Sequence, residues 1–375
     1  MKRCYIAQVE EKISTKAYPI LLDRLKENGQ QIEPVLIIFT SDNANFSWYS
    51  RMLSNSFPGA VVIGATSNVM YSPLGVSRVG ISVMAITSGI SVTCGALFNV
   101  SRYPGRSSDS ITSALEDIDK ENTVCLEFNA SVGNCEELVM DTFREAMGDT
   151  GIPICGCTAA VAENPERQSA VSLNGIPYVD ACVFAIIHNE MGRVGVIKEN
   201  IFRPTEHFFT ATDVDCDARR VYEFDHKPAT GVVASAMQIP VDELMVNSFF
   251  HPLGRVENGD LNTIAVHKAD EKDMSMSFFS RIYNQTRVSL LEPIDPIEDV
   301  WAQTSARVHE LIPDPSFSFV INCFLRMRYF TEMGKMLDYN DTLARDYGDF
   351  IGASAYGEQF LYKHINQTML ILVFE

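Results

Sequence analysis

No stretch of the 375-residue chain approaches the roughly twenty consecutive apolar residues that a membrane-spanning helix needs. The opening segment MKRCYIAQVEEK is basic but lacks an apolar run long enough for a secretory signal. Positive charge is scarce: 30 Lys and Arg face 48 Asp and Glu, and the net charge of −18 argues against nucleic acid and anionic membranes as partners. The nine cysteines form no CxxC pair and no metal-like group, so they read as small buried hydrophobes of a reducing cytoplasm. Catalytic signatures are missing too. No G-x-S-x-G elbow, P-loop or G-x-G-x-x-G follows a strand pattern. An N-terminal nucleophile must be the first residue, yet loss of Met1 would expose Lys2, and Cys4 lies further in. Cys157 beside Thr158 has no base assigned to it. A soluble, cytoplasmic, non-catalytic protein is expected.

What the chain does hold is a repeat. VVIGATSNV (61–69), PICGCTAAV (153–161) and FIGASAYGE (350–358) each carry an apolar run that stops at a glycine and turns to small, mostly hydroxylated residues. Each follows another apolar run: PVLIIFTS (34–41), NTVCLEFNAS (122–131) and FSFVINCFL (317–325). The spacing suits a crossover helix and its turns. In the second spacer Asn134 can cap a helix, Leu138, Val139, Ala146 and Met147 share a face, and Gly148 stops it. After each glycine a loop leads to one more apolar strand, VGISVMAIT, VDACVFAII or INQTMLILVF. The unit therefore reads strand, helix, strand, loop, strand. Gly64, Gly156 and Gly352 stand 92 and 196 residues apart, which leaves room for a degenerate fourth unit; PLG at 73–75 and again at 252–254 agrees with that. The glycines either let a strand end against a close-packed neighbour or face a ligand.

Such units predict an α/β fold of mixed sheets with helices on one face of each. Two sheets packed face to face would give a four-layer α-β-β-α sandwich, and a hydrophobic content of 46% is ample for its cores. Strand patterning lapses and charge rises between Pro204 and Asp242, which places a domain boundary near Asp225. The expected domains are 1–225, with repeats near 34–98 and 122–188, and 226–375. In DPIEDVWAQTSARVHELI, Ile297, Val300, Trp301, Val308 and Leu311 fall at helical spacing and read as core.

VVIGATSNV, placed after a strand and a helix, resembles the N-terminal FIST domain. NCFLRMRYF and GASAYGEQFLYKHINQTMLILVFE resemble the C-terminal FIST domain, with its Tyr-Gly-Glu and a later His-x-Asn-x-Thr before a final strand. The likeness covers roughly residues 34–375. It implies a ligand-sensing module, usually joined to chemotaxis, kinase or cyclic-dinucleotide output domains. Amino acids have been proposed as ligands for the family, and some members bind haem and respond to nitric oxide. This chain carries no output domain, so the expectation is a free-standing sensor, or the sensor part of something longer, that signals to a partner. The family's Cys-x-x-Arg survives as Cys323 and Arg326, but Leu325 stands where a glycine often precedes the arginine.

The candidate site follows from residue chemistry. Arg326 offers a planar cation suited to a carboxylate, and Glu358 an acceptor for an ammonium. His364, Asn366 and Thr368 alternate along a strand and so share one face. Thr66, Ser67, Thr158 and Ser354 add hydroxyls from the repeated strand ends. The expected pocket is a gap between the two halves, lined by these hydroxyls and the stripe from Tyr356 to Asn366, with Arg326 and Glu358 holding the ends of a small zwitterion. The alternative is that Arg326 and Glu358 pair, Asn366 and Thr368 tie down a loop, and the hydroxyls bond local backbone. No metal and no obligatory cofactor is expected. If haem binds, His251 in NSFFHPLG or His364 is its candidate ligand. A haem-based nitric-oxide sensor and a non-catalytic interaction scaffold stand as rival readings.

Overall fold

The computed structural model describes residues 2–116, 118–130, 133–161 and 168–375. The chain forms two compact units that interleave along the sequence. One comprises the residues up to Lys198, Gln303–Lys363 and Met369–Glu375; the other comprises Glu199–Ala302 and His364–Thr368. Asp225 falls inside the second unit.

The first unit realises the repeat three times. Leu36–Ser41 pairs in parallel with Val61–Thr66, Thr123–Ala130 with Ile154–Ala159, and Phe317–Cys323 with Asp349–Phe360. The crossovers contain the helices Phe46–Ser56, Glu136–Met147, and the pair Phe324–Glu332 and Met336–Asp346. Each parallel pair gains an antiparallel third strand, respectively Ile81–Ile86, Ala181–Asn189 and Thr368–Phe374. The first repeat forms the centre of a six-stranded sheet that Cys4–Val9, Val171–Leu173 and Ile176–Tyr178 complete. The second and third share the larger sheet, joined antiparallel where Ile154–Ala159 meets Asp349–Phe360. The helix of the second repeat begins after Cys135 rather than Asn134, and Leu138 lies exposed while Val139, Met140, Phe143 and Met147 are buried.

Alternation along the strands sorts the core. Ile37, Phe39, Val83 and Ala85 turn to Leu21, Tyr49 and Leu53 of the helices Ser14–Arg24 and Phe46–Ser56. Their neighbours Leu36, Ile38, Met84 and Ile86 join Val124, Leu126, Phe128 and Val183 of the larger sheet in one cluster. On the larger sheet's other face Cys125, Phe184 and Ile186 meet Ile111, Val139 and Phe143 of the helices Asp109–Glu116 and Glu136–Met147. Each such fully buried Leu, Ile or Phe contributes about 1.5–3 kcal/mol. The fold is the mixed α/β one expected from the sequence.

The repeated glycines have a packing cause. A Cβ at Gly64 would fall 2.2 Å from the Phe39 ring, one at Gly352 2.1 Å from the Tyr71 ring, and one at Gly156 2.2 Å from the Glu127 carbonyl oxygen. The strands run on past these positions, and glycine stands inside each because a neighbouring group lies across it.

The second unit occupies the place foreseen for a fourth repeat, and it is built differently. Its sheet runs Asp260–Ile264, Leu253–Glu257, Arg287–Pro293, Phe202–Asp215, Arg220–Phe224, Met276–Phe278, Val266–Ala269, and its described pairs are antiparallel. The helices Ala229–Met237 and Leu244–Phe250 supply Val233 and Leu244 to its core. Pro252–Gly254 opens one of its strands, whereas Pro73–Gly75 lies at the turn between Met70–Ser72 and Gly75–Ser77, so the PLG likeness carries no structural equivalence.

Candidate functional site

The foreseen polar residues are all placed, and nearly all are buried. Thr66 is tied to Ala170: its N–H donates to the Ala170 carbonyl at 2.9 Å and its hydroxyl accepts from the Ala170 N–H at 3.1 Å. Ser67 Oγ lies 2.6 Å from the Val69 carbonyl oxygen and 3.0 Å from that of Ser354, and it accepts from the Ser354 N–H at 3.0 Å. That hydroxyl joins the first repeat to the third. Thr158 Oγ1 accepts from Gln359 Nε2 at 3.1 Å and faces Glu136 Oε1 at 3.4 Å. Tyr356 donates its O–H to the Val161 carbonyl at 2.6 Å and sets its ring at right angles to Phe324.

Arg326 is fully buried. Its Nη1 donates to Asn322 Oδ1 at 2.8 Å and to the Tyr339 hydroxyl at 3.1 Å, and its guanidinium lies over the Phe330 and Tyr339 rings at 4.5 and 5.0 Å. Such cation–π contacts offset part of the cost of taking the charge out of water. Glu358 is also fully buried, opposite Cys157 in the sheet. Burial pushes the Tyr71 phenol well above its ordinary value, and Arg326 pulls it back.

His364 and Asn366 belong to the second unit. Asn366 Oδ1 accepts from the Ala265 N–H at 3.2 Å and from Ser280 Oγ at 2.7 Å, while its own N–H donates to the Thr263 carbonyl at 3.1 Å. His251, also in that unit, sets Nδ1 3.2 Å from the Leu291 carbonyl oxygen. Neither His251 nor His364 is among the residues that line the clefts at Asn68–Met336, Gln31–Gly59 and Pro19–Gln31. Burial, then the nearby carboxyl groups of Glu127 and Glu358, push the Cys157 thiol well above its ordinary value, which makes it a poor nucleophile.

A cleft of about 380 Å³ opens in the first unit beside these residues. Asn68 and Val69 line it directly after Ser67, and Val76 and Arg78 come from the strand Gly75–Ser77 and the residue following it. Phe324, Met327, Arg328 and Thr331 come from the helix Phe324–Glu332, which starts where the strand Phe317–Cys323 ends; Met336 closes the wall. In open α/β sheets the crevice outside the strands' carboxyl ends is where ligands bind. The cleft residues were not foreseen. The available signal was position: Asn68 and Val69 follow the small-residue turn at once, and Phe324 follows Cys323.

A second group also escaped sequence reading. Glu127, fully buried across from Gly156, accepts from the Cys182 thiol at 3.1 Å, and burial pushes its carboxyl up to about 8. Asn129, two residues on, is fully buried, and neither end of its amide has a hydrogen-bond partner among the described residues.

The first unit thus defines the class: a mixed α/β protein of strand-helix-strand-strand repeats with a cleft at the carboxyl ends of its strands. The chain belongs to the FIST family. A family model for the FIST N domain matches residues 34–227, and one for the FIST C domain matches residues 229–361. FIST domains are ligand-binding modules of sensory signal transduction. No curated protein matches the sequence. Among the described residues no helix is long and apolar enough to cross a membrane.

Proposed function

We propose that this chain is a non-catalytic cytoplasmic sensor that holds a small molecule in the 380 Å³ cleft of its first unit and passes the signal to a partner or output domain. The observation that carries the reading is the cleft's position, where residues of two repeats converge at the ends of their strands. Its size falls within the range of small-molecule sites. Amino acids are among the ligands it could admit. Arg326 and Glu358, being buried, act in this reading as supports of the wall rather than as its contact surface.

A ligand at one hundred times its Kd adds about 2.7 kcal/mol to folding stability, a rise of roughly 5 °C or more in melting temperature. A thermal-shift screen on the full chain should find such a binder. Thr331 lines the cleft and is exposed, so Thr331→Trp should fill the space without unfolding the protein. The binder's shift should vanish in that variant. Binders unaffected by Thr331→Trp would move the site elsewhere, and a screen without small-molecule binders would favour an interaction scaffold.

A further inference from the structure

We infer, on the basis of the cleft reading above, that the ligand is a net anion with an apolar body: a hydroxy acid rather than a zwitterion, its carboxylate held by Arg78 and Arg328. The lining contains two arginines and no acidic residue among Asn68, Val69, Val76, Arg78, Phe324, Met327, Arg328, Thr331 and Met336. In a chain of net charge −18 the general field repels anions, so two guanidinium groups on one small cleft are a local reversal of sign. An ammonium entering there would meet like charge and find no carboxylate in the lining.

Arg78 is exposed and makes no ion pair or hydrogen bond among the described residues. Arg328 pairs with Glu332 one helical turn away at 2.7 Å, with both side chains partly in solvent. Exposed pairs of this kind contribute about 0–1 kcal/mol, so a ligand carboxylate can displace Glu332. Guanidinium forks suit carboxylates because they offer two parallel donors.

Asn68 sets the second requirement. It is buried, and its Oδ1 has no hydrogen-bond partner among the described residues. A buried acceptor left unmet is costly, and a ligand hydroxyl would meet it. Val69, Val76, Phe324, Met327 and Met336 set the third, an apolar body to which the methionines adapt. The volume of about 380 Å³ is that of about a dozen waters at ~30 Å³ each, room for an acid with a branched or aromatic side chain.

The test uses 2-hydroxy-4-methylpentanoate and 3-phenyllactate, their methyl esters, and leucine and phenylalanine, which keep the bodies but carry ammonium. Thermal shift and calorimetry on the full chain should show at least one hydroxy acid binding, with its ester and its amino acid about 10-fold or more weaker. Arg78→Gln and Arg328→Gln should each weaken the acid about 10-fold while leaving the ligand-free melting temperature unchanged. An ester that binds as tightly as its acid, or no response to either acid, overturns the assignment. A binder lost in Thr331→Trp but indifferent to both arginine variants sinks the charge class and leaves the cleft standing. Binders indifferent to Thr331→Trp sink the cleft itself.

Discussion

Glu127→Gln should stabilise the protein, and by an amount that grows with pH. The carboxyl is fully buried over Gly156, with only the Cys182 thiol donating to it among the described residues, and burial lifts it from an ordinary 4.5 to about 8. The unfolded chain gives up this proton near 4.5 and the native protein near about 8. Between those values the native state binds one proton more than the unfolded state, so stability falls as pH rises. The contribution is fully present below about 4.5 and is lost once the pH passes about 8. At ~1.4 kcal/mol per pH unit, the wild type gives up about 3 kcal/mol by pH 7 and about 5 kcal/mol above pH 8. Glutamine has the same shape and no proton to lose, and so escapes this loss.

The assay follows from the placement of the two tryptophans. Trp48, in the helix Phe46–Ser56, reports on the first unit, which holds Glu127, while Trp301 belongs to the second. In a Trp301→Phe background, urea unfolding followed by Trp48 fluorescence isolates the relevant transition. Wild type and Glu127→Gln should unfold at similar urea near pH 5 and separate steadily toward pH 8, with the variant the more stable. A difference that stays flat across that range would refute the reasoning, because it would place the burial penalty on the amide and the acid alike.

Two further outcomes follow from packing. Arg326→Ala removes the donor to Asn322 and Tyr339 from a fully buried site, and should cost about 3 kcal/mol or more in the ligand-free protein by urea unfolding. Gly352→Ala places a methyl group 2.1 Å from the Tyr71 ring and should cost about 1–3 kcal/mol, a penalty that shrinks when Tyr71→Ala clears the ring, as a double-mutant cycle would measure.

The repeat was legible because buried strands are nearly continuous apolar runs, and three copies at matched spacing reinforce one another. The second unit was not. Its strand Phe202–Asp215 buries Phe202, Phe209 and Ala211 but leaves Arg203, Glu206 and His207 exposed, so the segment where patterning was expected to lapse contains a fourteen-residue strand. Its insertion between the second and third repeats also leaves no composition mark at Lys198 or Gln303, where the chain leaves and re-enters the first unit. The candidate site was legible as chemistry and not as depth. Spacing singled out Arg326 and Asn366, but only the fold brings Tyr339 to the guanidinium and Ser280 to the amide. Arg78 carried no signal, because a lone residue in a loop has no period to reveal it, and Asn68 carried only its place after the small-residue turn.

The three repeats place the same pair of positions side by side where their parallel strands end: Ser41 with Thr66, Asn129 with Thr158, and Asn322 with Ser354. Each pair brings polar groups to the carboxyl edge of a sheet, where burial requires partners for them. The first copy finds backbone: Ser41 donates to the Asp42 carbonyl at 3.1 Å and Thr66 is bound to Ala170. In the third copy Arg326 and Tyr339 from the crossover helices engage Asn322, while the Ser354 backbone is bound by Ser67 of the first. The second copy leaves the Asn129 amide without a partner among the described residues and keeps a raised carboxyl at Glu127 beside it. One scaffold has thus been closed in three ways. The Ser67–Ser354 link draws the first and third strand ends together, and Asn68 and Val69 leave that link to form one wall of the cleft, opposite the helix that begins at Phe324. The cleft is therefore a consequence of joining two copies of a repeat at their small-residue ends. Its chemistry comes from what each copy adds next: Asn68 and Arg78 from one, Phe324, Met327 and Arg328 from the other.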